Sequence, residues 1–179
     1  MQRRGLLIGV SAVLGLCLLG CVLVFVSVIP SFRDEVRDGV HDAVATEVAR
    51  QIPATTGGAA QPGAYTLTAA DLEARLRETL DDEQDEQDPV VRITDTQIEI
   101  GVTSKGQDAI YTGKPVAEDG KLSIQEMSTD NGIVRFVLPP DTIAGAIEDA
   151  VNTHLATNNL RLDSVELTDG QLTLVVSQA

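Results

Sequence analysis

From Gly5 to Ile29 the chain carries no charged residue, and Arg3 and Arg4 stand directly before that run. Coiled as a helix, such a stretch rises about 37 Å, enough to cross a hydrocarbon core of about 30 Å with some tilt. The expectation is an uncleaved membrane anchor followed by one water-soluble part. A signal peptide would have a shorter apolar region, about 7 to 15 residues, and an A-x-A-like cleavage site. Neither is present. A lipoprotein-type reading at Leu18, Leu19, Gly20 and Cys21 is opposed by the apolar run continuing through Val22 to Val26. Arg3 and Arg4 before the run balance Arg33 and Arg37 after it. The amino-terminal charge and the short leading tail then favour a single-pass protein of the cytoplasmic membrane, amino terminus inside and carboxy-terminal domain outside.

All 27 acidic residues lie beyond the run, with eleven of the 13 basic ones, so the part beyond it carries a net −16 where the whole chain carries −14. Nucleic-acid phosphate and anionic lipid headgroups repel such a surface, which excludes DNA, RNA and polybasic membrane docking. Aromatic residues agree: beyond the run only Phe32, Tyr65, Tyr111 and Phe136 remain, too few to stack bases. Both cysteines, Cys17 and Cys21, lie inside the run, so the soluble part has neither a disulfide nor a thiolate metal site. At well over a hundred residues it can hold a core without either.

The spacing of residues divides the chain into four parts: a cytoplasmic tip and anchor at 1–30, a juxtamembrane helix at 31–52, a flexible linker at 53–63 and an extracytoplasmic α+β domain at 64–179. Pro30 closes the anchor, and Ser31 with Asp34 gives a capping-box-like start to the second helix. Its apolar positions Phe32, Val36, Val40, Val44, Val48 and Ile52 recur strictly by four, so the stripe drifts around a 3.6-residue helix. That suits a stalk or an oblique contact. Pro53 ends the helix, and Gly57, Gly58, Pro62 and Gly63 mark the tether.

Beyond the tether two segments share one pattern. Tyr65, Leu67, Leu72, Leu76 and Leu80 correspond at constant offset to Phe136, Leu138, Ile143, Ile147 and Val151, each reading as a short strand feeding a helix, an internal repeat. Each helix precedes a strand whose alternation slips by one residue, at Asp95-Thr96 and at Asp163-Ser164, implying a bulge or corner. Turn pairs Lys105-Gly106, Asp119-Gly120, Asn131-Gly132 and Asp169-Gly170 mark hairpins, with Ile133 to Leu138 read as a strand. The expected architecture is an antiparallel, curved sheet of about seven to eight strands packed on two amphipathic helices.

No catalytic signature is present: no nucleophile elbow, zinc helix, P-loop or dinucleotide fingerprint occurs. The tract Asp81 to Asp88 lacks the glycine a calcium loop needs and reads as a solvated loop. His41 and His154, the only histidines, fall on separate elements, His154 near a helix C-terminus where a partly buried or dipole-facing histidine is common. The expectation is a protein that is not an enzyme, with no cofactor and no metal.

One anchor, Leu138-Pro139 opening a helix that contains Asn152 and Leu155, and a closing hairpin of Val165, Leu167, Asp169, Gly170, Leu172 and Leu174 together resemble small bacterial membrane-anchored proteins of the tubular lipid-binding (TULIP-like) kind. The resemblance covers roughly the last 115 residues and implies binding or transfer of a phospholipid or other acyl chain outside the cytoplasmic membrane. The leading expectation is thus a tethered, non-enzymatic module whose groove holds a lipid acyl chain between the sheet and the helix faces bearing Leu72, Leu76, Ile143, Ile147, Val151 and Leu155. The alternative is a structural or adaptor protein that joins other cell-envelope proteins through its juxtamembrane helix and exposed strand edges.

Overall fold

The computed structural model describes residues 33–34, 36–52, 61–80, 89–104 and 107–179, apart from the side chains of 78–80, 103, 104 and 107. The apolar run with its cysteines, Ser31, the tether at 54–60, the acidic tract 81–88 and the turn at 105–106 lie outside the described residues. Among those described, no helix is long and apolar enough to cross a membrane. The chain divides into two compact units, 1–35 and 36–179. Of the first, Arg33 and Asp34 are described, both helical.

The second unit runs α1 (36–51), β1 (Gly63–Thr68), α2 (Ala69–Leu80), β2 (Val90–Ile93), β3 (Ile98–Ser104), β4 (Gln107–Glu118), β5 (Lys121–Thr129), α3 (Gly132–Val137), α4 (Pro140–Thr157), β6 (Leu160–Thr168) and β7 (Gln171–Gln178). The class is α+β and every strand pair is antiparallel. The strands do not form one curved sheet, as the turn pattern suggested, but two: β1-β7-β6 and β2-β3-β4-β5. Hairpin chemistry is local and correctly gives β4–β5, where Asp119 and Gly120 both take positive φ (51° and 81°), and β6–β7, where Gly170 takes φ 80°. It is silent about which hairpins join, and here β1 crosses the molecule to pair with β7 while β2 pairs only with β3.

Ile133 to Leu138 is not a strand. The Asn131 side chain accepts hydrogen bonds from the backbone N–H of Ile133 (3.0 Å) and Val134 (3.2 Å), so Asn131-Gly132 caps the short helix α3 and turns no hairpin. The repeat fails at that point, because Phe136 and Leu138 lie in α3 and at its C-cap where Tyr65 and Leu67 lie in β1. The slips also diverge. Asp95-Thr96 forms the β2–β3 turn, closed by Thr94 N–H donating to the Gln97 carbonyl (2.9 Å), while Asp163 is an extra residue bulged out of β6.

Helix α1 is part of this body. Val40, Val44, Val48 and Ile52 are buried in one apolar cluster with α4 and both sheets, worth on the order of 6–12 kcal/mol of transfer free energy before chain-ordering costs. Ion pairing from Arg37 to Asp149 (3.1 Å) and a hydrogen bond from His154 Nε2 to the Ile52 carbonyl (3.0 Å) tie α1 to α4. The described part of the drifting stripe is packed against the body. The half-buried His154 ring sits near the end of its helix, its Nε2 3.3 Å from the side-chain amide of the C-cap Asn158.

Candidate functional site

Four strand edges are left by two open sheets, and an unpaired edge is a template for another chain unless something occupies it. The outer edge of β5 is occupied by α4. Asn152 Oδ1 accepts from Leu122 N–H (2.8 Å), Asn152 Nδ2 donates to the Leu122 carbonyl (3.0 Å), and Glu148 accepts from Ile124 N–H. One amide side chain thus takes both bonds a neighbouring strand would take. On the edge of β2, Glu73 of α2 accepts from Val91 N–H (3.4 Å).

Strand β6 differs. Leu162 N–H donates across to the Gly120 carbonyl (2.8 Å), and eight residues on Gly170 N–H donates to the Ile93 carbonyl (2.8 Å). Between these two pins Asp163 bulges out of β6, and a cleft opens beside it. The two-residue loop Asp169-Gly170 sets Thr168 opposite Gln171, so Thr168, Glu166 and Ser164 direct their backbone groups at β7, and Val165 and Leu167 direct theirs outward. Among the described residues neither of those two backbones finds a partner on that side.

The space so opened is a cleft of about 630 Å³ lined by Asp95, Thr96 and Gln97 of the β2–β3 turn, Thr112 to Ala117 of β4, Glu126 of β5, and Asp163, Ser164, Val165 and Leu167 of β6. A second irregularity shapes the opposite wall: Gly113 faces both Glu126 and Met127 across β4–β5. A Cβ on Gly113 would lie 2.5 Å from Met127 Sδ and 2.7 Å from Ile124 Cγ2, so a side chain there would require Met127 and Ile124 to move. Glu126 takes φ 55°, a left-handed conformation that costs a side-chain-bearing residue about 1–2 kcal/mol. Residues in such conformations concentrate at functional sites. Three carboxylates, Asp95, Glu126 and Asp163, meet one ammonium, Lys114. Asp163 is engaged by Arg161 (3.2 Å) and by the Ser177 hydroxyl (2.9 Å).

Of the six residues expected to line an acyl groove, Leu76, Ile143, Ile147, Val151 and Leu155 are buried in the core cluster, Leu72 is partly buried against it, and none lines this cleft. Both alternation slips do line it. The signal lay in the sequence as broken periodicity at Asp95-Thr96 and Asp163-Ser164, and it marked the place where two sheets part.

Two polar features lie apart from the cleft. Glu47, fully buried on α1, receives two hydrogen bonds from Arg50 (2.9 and 2.6 Å) and one from Gln51 (3.0 Å), with Arg75 of α2 at 3.6 Å. The Glu47 hydrogen bonds raise the Arg50 guanidinium above its ordinary value, and Arg50 also reaches Asp71 of α2 (3.1 Å), so the cluster fastens α1 to α2. Tyr111 is fully buried, donates to the Leu138 carbonyl (2.8 Å), and has its phenol pushed up to about 12 by burial. Both are explained as packing. Among the described residues no three acidic, histidine or cysteine side chains are placed to hold a metal ion. Compared with family models, with curated proteins and with solved structures, the chain has no match.

Proposed function

We propose that this chain is a membrane-tethered, extracytoplasmic adaptor without catalytic activity that takes an extended segment of another envelope protein as an added strand on β6. The observation that carries the reading is the outward-facing backbone of Val165 and Leu167, unpaired among the described residues along one wall of a cleft of about 630 Å³. Strand addition draws its affinity from main-chain hydrogen bonds and its selectivity from the side chains around the edge. The apolar run at 5–29 supports the tether. Occupation of two of the other three edges supports the choice of partner site, since α4 and α2 side chains cover β5 and β2. An acyl chain, the other occupant the sequence suggests, would have to enter between side chains that already fill the core.

A photo-crosslinking amino acid placed at Leu167 of the full chain, in its own membrane, tests this. The supporting result is a polypeptide adduct that disappears with Val165→Pro, which removes an outward N–H that the fold does not use, while the thermal midpoint is retained. An adduct of lipid mass, no adduct, or a polypeptide adduct indifferent to Val165→Pro would each overturn it.

A further inference from the structure

The same cleft specifies what kind of segment it takes, an inference that rests on the strand-addition reading. Between the Leu162 and Gly170 pins the free edge runs from Ser164 to Thr168, and at about 3.3 Å per residue an extended chain of four to five residues fills it. Successive side chains of an added strand point to opposite faces. On one face β6 offers Val165 and Leu167, partly buried and packed toward the core, with Ala117 on the core-facing side of β4 across the cleft. The partner's residues on that face meet apolar surface. On the other face β6 offers Glu166, which is exposed. The rim carries Asp95 and Glu126 against Lys114, with Asp163 already paired to Arg161, within a body of strongly negative charge. Among the described residues Asp95, Glu126 and Lys114 form no ion pair, so their charges are available to a ligand.

We infer that the partner segment is a short extended stretch alternating small aliphatic with basic residues, its aliphatic side chains facing Val165, Leu167 and Ala117 and its basic ones facing the acidic rim. An acidic or uniformly apolar segment fits one face and fails the other. Opposite charge at a rim chiefly steers encounter and selects among partners, so the preference weakens as salt rises.

The test uses the full-length protein in detergent micelles and three labelled five-residue peptides read by fluorescence anisotropy: alternating valine and lysine, alternating valine and glutamate, and the valine–lysine peptide N-methylated at alternate amides. The expected result is that the valine–lysine peptide binds at least tenfold tighter than either other. Asp95→Asn and Glu126→Gln each weaken it about threefold, the range of an exposed charge pair, and raised salt weakens it further. Equal binding of the lysine and glutamate peptides, with the N-methylated one excluded, overturns the charge preference while leaving strand addition standing. Equal binding of the lysine peptide and its N-methylated form shows attraction by net charge alone and overturns both. Binding of none of the three overturns the alternation, and the crosslink from Leu167 then decides separately whether any polypeptide enters.

Discussion

Asn152 stands where a strand would stand, and removing its amide measures what that substitution contributes. In Asn152→Ala the Leu122 N–H and carbonyl lose bonds of 2.8 and 3.0 Å at a half-buried edge. Each net hydrogen bond is worth about 1 kcal/mol, and a backbone group left partly shielded from water costs somewhat more. Alanine returns up to about 0.7 kcal/mol as the better helix former within α4. The expected loss is about 2 kcal/mol. Asn152→Asp separates geometry from chemistry: a carboxylate still accepts from Leu122 N–H, but its second oxygen faces the Leu122 carbonyl, acceptor against acceptor, and the expected loss rises to about 3 kcal/mol. Urea unfolding of the full chain in micelles, followed by circular dichroism, reads both as shifts in midpoint at constant slope. An alanine variant within about 0.5 kcal/mol of the parent, or an aspartate variant more stable than the alanine one, would refute the surrogate-strand account. The alanine variant should also associate at high protein concentration, because it exposes the edge that Asn152 covered.

Glu47→Ala removes the centre of the α1–α2 cluster and should cost about 3 kcal/mol, since three hydrogen bonds go with a fully buried carboxylate. Arg37→Ala, which breaks an exposed pair with Asp149, should stay within about 0.5 kcal/mol in the same urea titration. Tyr111 gives a pH signature: its folded phenol titrates near 12 against an ordinary value of 10, so the fold retains the proton that the unfolded chain releases. Its contribution is complete below pH about 10, declines as pH rises, and by pH about 12 has fallen by about 2 kcal/mol. Tyr111→Phe should abolish that alkaline phase in unfolding measured from pH 9 to 12.

Class, helix faces and most hairpins were legible in the sequence because they rest on local periodicity and turn chemistry. Asp119-Gly120 and Asp169-Gly170 name their turns by themselves. Asn131-Gly132 misled because the same pair that starts a hairpin can cap a helix, and the residues after it decide: Pro139 and Pro140 require a helix entrance at once and leave α3 only six residues. The split into two sheets was not legible, since it depends on β1 finding β7 and on the bulge at Asp163. Nor was the place of α1. Its four-residue spacing is indifferent between a free stalk and a crossing helix until Ile52 meets His154. The six aliphatic residues expected to bound a groove do face inward, and inward is the packed core. The cleft walls were visible as two broken alternations, but facing them across a gap requires the fold.

Helix α1 finds its partners Asp149 and His154 more than a hundred residues later, and β1 reaches β7 across a similar separation at Thr66 and Thr173. Loops that long close slowly. The first strand therefore emerges during synthesis without its strand partner and stays so until β7 has been made. Because β7 is the middle strand of its sheet, a chain stopped before Gln171 leaves both β1 and β6 without a neighbour. Completion of this domain is a single late event, and any shortened product is left in a form that proteases can recognise.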